Sequence, residues 1–219
     1  MDLTVLSLWL ASGAVGLAAT ATALRARFTH HARAWARAER HVARSIEHAP
    51  TSETVRLSGR LRLAGPALTS PLSGRPCAGY HATVEAGDSR KRVLGSEARF
   101  SDFVLEDESG RVLVEMEAAN VDVTMDLAWR SETLDAETRF DLEQFLTSVV
   151  NPERLDLSLR ERLIYREGAL CPGEQVTVVG VIALERPSLS EPYRTHAPVR
   201  RIRGQEGGQL LVSDRLHFS

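Results

Sequence analysis

An uncharged run of 22 residues near the N-terminus constrains this chain more than any other feature. It extends from Leu3 to Leu24 and reads LTVLSLWLASGAVGLAATATAL. A helix rises about 1.5 Å per residue, and a bilayer core takes about 20 residues to cross. The run therefore predicts a transmembrane anchor over residues 1–24. A buried core helix is disfavoured, because core helices of water-soluble domains usually keep one polar face.

The charges on either side of this run predict its orientation. Asp2 precedes it, and six arginines follow it: Arg25, Arg27, Arg33, Arg37, Arg40 and Arg44. Basic residues accumulate on the cytoplasmic side of a spanning helix. We therefore expect a single-pass protein of an inner membrane whose C-terminal part is cytoplasmic, with the arginines against the lipid head groups. The alternative is a cleaved secretory signal ending at the small residues 21–23, which would export the rest, although the positive segment that begins such signals is absent.

Residues 25–50 are predicted to form a basic juxtamembrane helix. Positions recurring at spacings of three and four would lie on one stripe: Phe28, Ala32, Trp35, Glu39, Val42 and Ile46. Such a stripe suits self-association, contact with the lipid surface, or packing against the chain's own domain. A homo-oligomer therefore remains one expectation.

Residues 51–219 suit one domain with a single core. Residues 49–219 carry a net charge of −5, since 21 of the 27 basic and 26 of the 29 acidic residues lie there. Nucleic acid is disfavoured as a partner, because phosphate backbones require positive surfaces and single strands require aromatic stacking platforms. The nearly exclusive use of arginine over lysine fits a GC-rich bacterial genome.

Alternation of apolar and polar residues predicts a mainly β (α+β) domain with antiparallel pairing. The alternating runs lie at 55–63, 78–84, 112–116, 121–125, 176–184 and 210–218. A helix is predicted over 136–149, residues 154–166 are ambiguous between strand and helix, and residues 186–207 are predicted to be a basic loop. Glycines inside two runs, at 59 and 180, suggest strands that bend around a barrel. The layout resembles an OB-type barrel with a helix inserted between its third and fourth strands.

Residues able to do chemistry are sparse. Cys77 and Cys171 are too few for a disulfide framework or a cysteine-rich zinc site, and the seven histidines show no ligand spacing. Cys77 and His81 would share a strand face but lie about 13 Å apart, so a packing thiol is the better interpretation. The acidic run around Asp107 is interpreted as a hairpin turn. We therefore expect no catalytic residue, metal or cofactor.

Three segments together resemble the GIDE domain, also called the BAM ("beside a membrane") domain: SPLSGRPCAGYHATVE (70–85), FVLEDESGRVLVE (103–115) and YREGALCPGEQVTVVGV (165–181). That domain occurs in RING-type E3 ubiquitin ligases of organelle membranes and in bacterial membrane proteins. The resemblance singles out nine positions as structural or binding residues: Pro71, Ser73, Gly74, Cys77, Tyr80, Asp107, Gly110, Gly173 and Gly180.

The chain departs from the ligase pattern, because residues 186–219 contain neither a second apolar span nor a RING-like cluster of Cys and His. In the mitochondrial relatives this domain faces the intermembrane space, which is closer to a periplasmic placement. Together with the predicted anchor, the resemblance and the missing RING predict a membrane-anchored binding or sensing module without catalysis of its own, which recognises a protein or small ligand and acts with effectors on other chains. The alternatives are a ligase-like protein whose RING is supplied by another chain, and an OB-type nucleic-acid binder.

Overall fold

A computed structural model describes residues 35–36, 40–87, 92–133, 136–151, 155, 162–185, 199–204 and 209–215. The chain divides into two compact units, residues 1–41 and residues 42–219. In the first unit, Trp35 and Ala36 are helical and Trp35 is buried. No helix among the described residues is long and apolar enough to cross a membrane. The anchor predicted over residues 1–24 lies outside the described part of the chain and remains a prediction.

The second unit is mainly β. Its strands are β1 (Ala43–Arg44), β2 (Thr54–Leu63), β3 (Leu68–Thr69), β4 (Pro76–Cys77), β5 (Gly79–Ala86), β6 (Val93–Phe100), β7 (Phe103–Glu106), β8 (Arg111–Val114), β9 (Asn120–Asp122), β10 (Leu127–Arg130), β11 (Leu163–Leu170), β12 (Gln175–Glu185), β13 (Val199–Arg203) and β14 (Leu211–Ser213). Helix α1 spans Ala136–Val149, and a short 3-10 helix spans Ser131–Thr133.

Five strands close into a barrel in the order β2–β7–β8–β13–β12, and β12 pairs back onto β2. Inward side chains of these strands fill the core, and Leu57, Phe103 and Ile202 are fully buried there. The predicted barrel is therefore confirmed, as is a helix between its third and fourth strands. The predicted antiparallel pairing is found for most strand pairs but not for all, because β8 and β13 run parallel, as do β1 with β2 and β9 with β14.

A second sheet has the order β10–β11–β5–β6, and every neighbouring pair in it is antiparallel. Helix α1 covers this sheet with Leu142, Phe145 and Leu146, which pack against Val84 and Tyr165. The helix has the predicted bounds, and these three apolar residues are buried as its pattern indicated. The division of the strands between a barrel and a second sheet was not predicted.

Three local expectations need correction. The juxtamembrane helix predicted over residues 25–50 does not extend to residue 50, because Ala43–Arg44 form a strand and Ile46 is buried in the barrel core. Residues 199–203 are not a loop but β13, in which Ile202 is fully buried although the pattern Val-Arg-Arg-Ile-Arg shows no alternation. Leu184 is 51% exposed rather than inward, because β12 continues past its last pairing with β2 at Val181.

Candidate functional site

Residues 70–75, which begin the first resemblance segment, form a tight turn between β3 and β4. Ser70 donates its backbone N–H to the carbonyl of Arg75 at 3.0 Å, and the Gly74 N–H returns to the Ser70 carbonyl at 3.1 Å. Gly74 has φ +67°, a left-handed conformation that favours glycine. Pro71 lies inside this turn and is partly buried. The turn therefore closes on itself, and the Leu72 N–H and the Ser73 hydroxyl donate to a group outside it.

A fully buried carboxylate, that of Glu167 on β11, accepts these donors. Its Oε2 accepts the Leu72 N–H at 2.8 Å, and its Oε1 accepts the Ser73 hydroxyl. The Arg75 guanidinium lies 3.6 Å from the same Oε1. A buried charge is tolerated when hydrogen bonds and an opposite charge surround it. Glu167 thus joins the turn at residues 70–75 to the second sheet.

Arg75 also extends this network to the surface. Its Nη1 and Nη2 donate to the two carboxylate oxygens of Asp126 at 2.6 and 3.0 Å. This two-point geometry suits a guanidinium facing a carboxylate. The hydrogen bond from Arg75 lowers the pKa of Asp126, and the same bond raises the pKa of Arg75. The Asp126 carboxylate is therefore held charged and in a fixed orientation.

Asp126 lines an open groove of about 940 Å³ in the second unit. We call this the acidic groove, and its lining residues are Thr124, Met125, Asp126, Ala169, Glu174, Gln175, Asp214 and Arg215. Asp214 accepts the Thr124 N–H at 2.9 Å and the Thr124 hydroxyl at 2.9 Å. Glu174 accepts the Cys171 N–H at 2.8 Å. Hydrogen bonds therefore fix both carboxylates where the groove opens.

Burial and repulsion by neighbouring carboxylates raise the pKa values of two residues of the acidic groove, Glu174 and Asp214. Burial raises the pKa of Glu174, and the nearby Asp214 and Asp126 carboxylates raise it further. Burial likewise raises the pKa of Asp214, and the nearby Asp122 carboxylate raises it further. Arg215 lies at the groove but also contacts Asp122, at 3.2 Å. A cationic group entering the groove would relieve this repulsion.

The two cysteines are not arranged as nucleophiles. Both are free thiols; Cys77 is buried and its Sγ lies 3.6 Å from the Leu68 carbonyl. Burial raises the pKa of Cys77, and it raises the pKa of Cys171 to about 11, with the Glu174 carboxylate adding to the effect. A raised pKa keeps both groups as thiols, and the thiol is a poor nucleophile.

Tyr80 and His81 lie on β5 beyond Cys77. The Tyr80 hydroxyl donates to Glu97 at 2.6 Å, and burial together with that carboxylate raises its pKa to about 12. Burial lowers the pKa of His81. Among the described residues, no group of three or more His, Cys, Asp or Glu side chains is placed to hold a metal ion.

The remaining resemblance positions shape turns and close approaches. Asp107 Oδ1 accepts the N–H groups of Ser109 and Gly110 at 2.8 and 2.9 Å, and its Oδ2 accepts the Ile46 N–H at 2.9 Å. Gly173 has φ +90° in the turn before β12. At Gly180, a Cβ atom would lie 2.6 Å from the Arg203 carbonyl oxygen. These residues are better explained by backbone geometry than by ligand binding.

Of the six arginines that follow the uncharged run, two lie among the residues that the structure describes. Arg40 and Arg44 are exposed, whereas Arg25, Arg27, Arg33 and Arg37 lie outside the described residues. Their contact with lipid stays a prediction.

The residues of the acidic groove, and the Glu167 carboxylate that supports them, were not among the predicted site residues. Glu167 lies in the third resemblance segment, at an inward position of an alternating strand between the buried Tyr165 and Ala169. A charged residue at such a position signals a buried partner. Asp126, Glu174 and Asp214 gave no such signal, because they come together only when distant segments fold onto each other.

A model of the GIDE family, described as E3 Ubiquitin ligase, matches residues 80–196, slightly more than half of the chain. The match runs from the second residue of β5 past the end of β12 and includes six of the eight residues that line the acidic groove. Compared with curated proteins, the chain has no match. By its sequence, the chain belongs to the GIDE family.

Proposed function

We propose that this chain is a membrane-tethered binding module of the GIDE family whose acidic groove holds an Arg- or Lys-rich segment of a partner protein. It carries out no chemistry of its own and acts through effectors on other chains. The observation that carries the proposal is the set of fixed carboxylates at Asp126, Glu174 and Asp214 around one groove.

The support beneath the groove favours binding over a merely solvated surface. Asp126 is held by Arg75, and Arg75 lies beside the fully buried Glu167. A preorganised carboxylate loses little conformational freedom when it meets a cation, so more of the interaction energy appears as affinity. On this proposal, the turn at residues 70–75 supports the groove by holding Arg75 and Glu167 in place.

Peptide binding tests the proposal. The full chain in neutral detergent micelles would be titrated, at about 0.15 M salt, into a fluorescein-labelled nonapeptide of arginine, and separately into one of glutamate. We expect the anisotropy to rise and saturate for the arginine peptide only. Equal binding of the two peptides, or binding of neither, would count against the acidic groove as the site.

The tether is part of the proposal and rests on the uncharged run with the arginines behind it. We place the protein in an inner membrane with residues 42–219 on the cytoplasmic side. Alkaline carbonate should leave the chain in the membrane pellet, and protease should digest the domain in inverted vesicles but not in intact cells. Digestion in cells whose outer layer alone has been opened would favour the periplasmic alternative.

A role within ubiquitin-ligase-like transfer is the second candidate, and the family description supports it. On this reading another chain supplies the RING, and the groove recruits the protein to be modified. Co-purification of a RING or conjugating-enzyme partner with the native membrane complex would favour it.

The order of the barrel strands also supports an OB-type barrel, a fold that often binds oligonucleotides. The net charge of −5 over residues 49–219 and the carboxylates of the groove oppose such binding. We therefore expect no salt-dependent shift of a labelled single-stranded oligonucleotide.

A further inference from the structure

Strand β6 is an open edge of the second sheet. Within the described part of the chain it pairs with β5 alone, and its eight residues make it longer than β10, the four-residue strand at the opposite edge. Ser96, Ala98 and Arg99 are exposed along it. A long exposed edge presents unpaired backbone groups to which another strand can add.

The hydrogen bonds at the end of β6 indicate which backbone groups face outward. The Ser101 N–H donates toward β5, to the Ala78 carbonyl, at 2.8 Å. Backbone groups alternate in direction along a strand, so those of residues 97 and 99 also face β5. The N–H and C=O groups of Ser96, Ala98 and Phe100 therefore face away from the sheet.

The charges on β6 of one copy would complement those on β6 of a second, antiparallel copy. Glu97 and Arg99 stand two residues apart on one face, on either side of Ala98. If a second copy adds antiparallel with the two-fold axis at Ala98, Glu97 of each copy lies opposite Arg99 of the other. An axis at Glu97 or at Arg99 would instead oppose like charges, which destabilises a strand pair.

We infer that β6 is a homodimer interface, in which two copies of this chain join their second sheets edge to edge with Ala98 at the two-fold axis. Ala98 of one copy faces Ala98 of the other as a hydrogen-bonded pair, and Ser96 of each copy pairs with Phe100 of the other. The small side chains at residues 96 and 98 leave room for the two backbones to approach.

Cysteine crosslinking tests the register in the full chain in detergent micelles. Residues facing each other across the axis have Cα atoms about 5.5 Å apart, which a disulfide can bridge. Two copies of residue 96 would lie about 14 Å apart. Under mild oxidation we expect A98C to give a disulfide-linked dimer beyond the background of the unsubstituted chain, and S96C to give none. Equal crosslinking of the two variants, or no crosslinking of A98C, would overturn the interface.

Light scattering of the same sample tests the assembly itself. We expect twice the protein mass of one chain. The A98P variant should have the mass of one chain, because proline lacks the N–H that Ala98 would donate to the second copy. It should nevertheless fold, since the N–H of Ala98 faces away from β5. Circular dichroism melting would verify that A98P remains folded. An unsubstituted chain that stays monomeric at every concentration would refute the inference.

Charge exchange gives a test that does not depend on proline. E97R alone and R99E alone should each be monomeric, because each places like charges across the axis. An equal mixture of E97R and R99E protomers restores both opposite-charge pairs and should recover the doubled mass. A mixture that is no more dimeric than its components would contradict the register.

Discussion

Glu167, which is fully buried on β11, accepts the backbone N–H of Leu72 at 2.8 Å across 95 residues of sequence. This bond ties the turn at residues 70–75 to the second sheet, beneath the acidic groove. Because the carboxylate also contacts Arg75, which holds Asp126 of the groove, one buried group connects the turn, the second sheet and the groove lining.

Replacing Glu167 by glutamine should therefore destabilise the domain. The E167Q substitution keeps the shape but removes the charge, leaving Ser73 or Leu72 facing an NH₂ group. Charged hydrogen bonds contribute about 1.5–3 kcal/mol each, so we expect a loss of about 3 kcal/mol in the free energy of unfolding, measured with urea. E117Q removes the same charge from an exposed site and serves as control. If the E167Q and E117Q variants have the same urea midpoint of unfolding, the charge of Glu167 has no stabilising role.

Gly180 should not tolerate even one added methyl group. Its Cβ would lie 2.6 Å from the Arg203 carbonyl oxygen and 2.7 Å from Leu210 Cδ1, so β12 or β13 would have to shift. Overpacking of this kind costs about 1–3 kcal/mol, and we expect G180A to lower the free energy of unfolding by about 2 kcal/mol.

Gly65 offers the matched control, because a Cβ there would meet no atom within 4 Å. G65A should stay within about 0.5 kcal/mol of the unsubstituted chain. Similar unfolding midpoints for G180A and G65A would show that the barrel has more room at β12 than the structure gives it.

Asp107 should stabilise the fold only above acidic pH. Burial alone would raise its pKa, but the hydrogen bonds from Ser109, Ile46 and Gly110 outweigh burial and lower it. A lowered pKa means that the charged form is favoured by folding. Its contribution is therefore complete above the unfolded-state pKa of about 3.9 and is lost as the pH falls through the lower folded value.

The D107N substitution tests this, since it leaves the Ile46 N–H without its charged acceptor. At pH 6 we expect D107N to be less stable than the unsubstituted chain by about 1 kcal/mol. This difference should shrink as the pH is lowered from 5 to 3. E108Q, an exposed change in the same turn, should stay within about 0.5 kcal/mol. A D107N difference that is constant with pH would contradict the assignment.

The cysteines should react slowly in the folded protein. Because burial and Glu174 raise the pKa of Cys171 to about 11, little thiolate is present at pH 8. We expect labelling of Cys171 by a disulfide reagent to be on the order of 100-fold slower than labelling of free cysteine. E174Q removes a nearby negative charge and should speed labelling by about threefold, whereas E132Q, exposed elsewhere, should not. Labelling of both thiols at the rate of free cysteine would mean that they are not held as described.

The barrel and the helix could be predicted from sequence because their signals are local. Alternation of buried residues such as Leu57 and Leu61 marks a strand without any knowledge of its partner. The helix at residues 136–149 carries its apolar face and its stop within one segment. The strand at residues 199–203 was not predicted, because a fully buried isoleucine among three arginines does not produce an alternating pattern of apolar and polar residues.

The acidic groove could not be predicted, because its residues have meaning only together. Asp126 and Glu174 lie far apart in sequence, and neither stands in a pattern that marks a site. The nine resemblance positions were easier to find, since glycines with positive φ and an aspartate that caps a turn act within a few residues. The glycines and Asp107 shape the backbone, whereas the groove carboxylates act, on our proposal, by offering charge to a partner.

The most direct test of the account compares two double variants of the full chain for binding of the labelled arginine nonapeptide. E174Q/D214N removes two charges from the acidic groove while keeping side-chain oxygens for Cys171 and Thr124. E117Q/E132Q removes two charges from exposed sites outside the groove lining. We predict that the dissociation constant rises at least about tenfold for E174Q/D214N, a change of about 1.4 kcal/mol, and stays within about twofold for E117Q/E132Q. Equal weakening by the two variants would show that the peptide senses only the net charge of the domain, and the acidic groove would then not be its binding site.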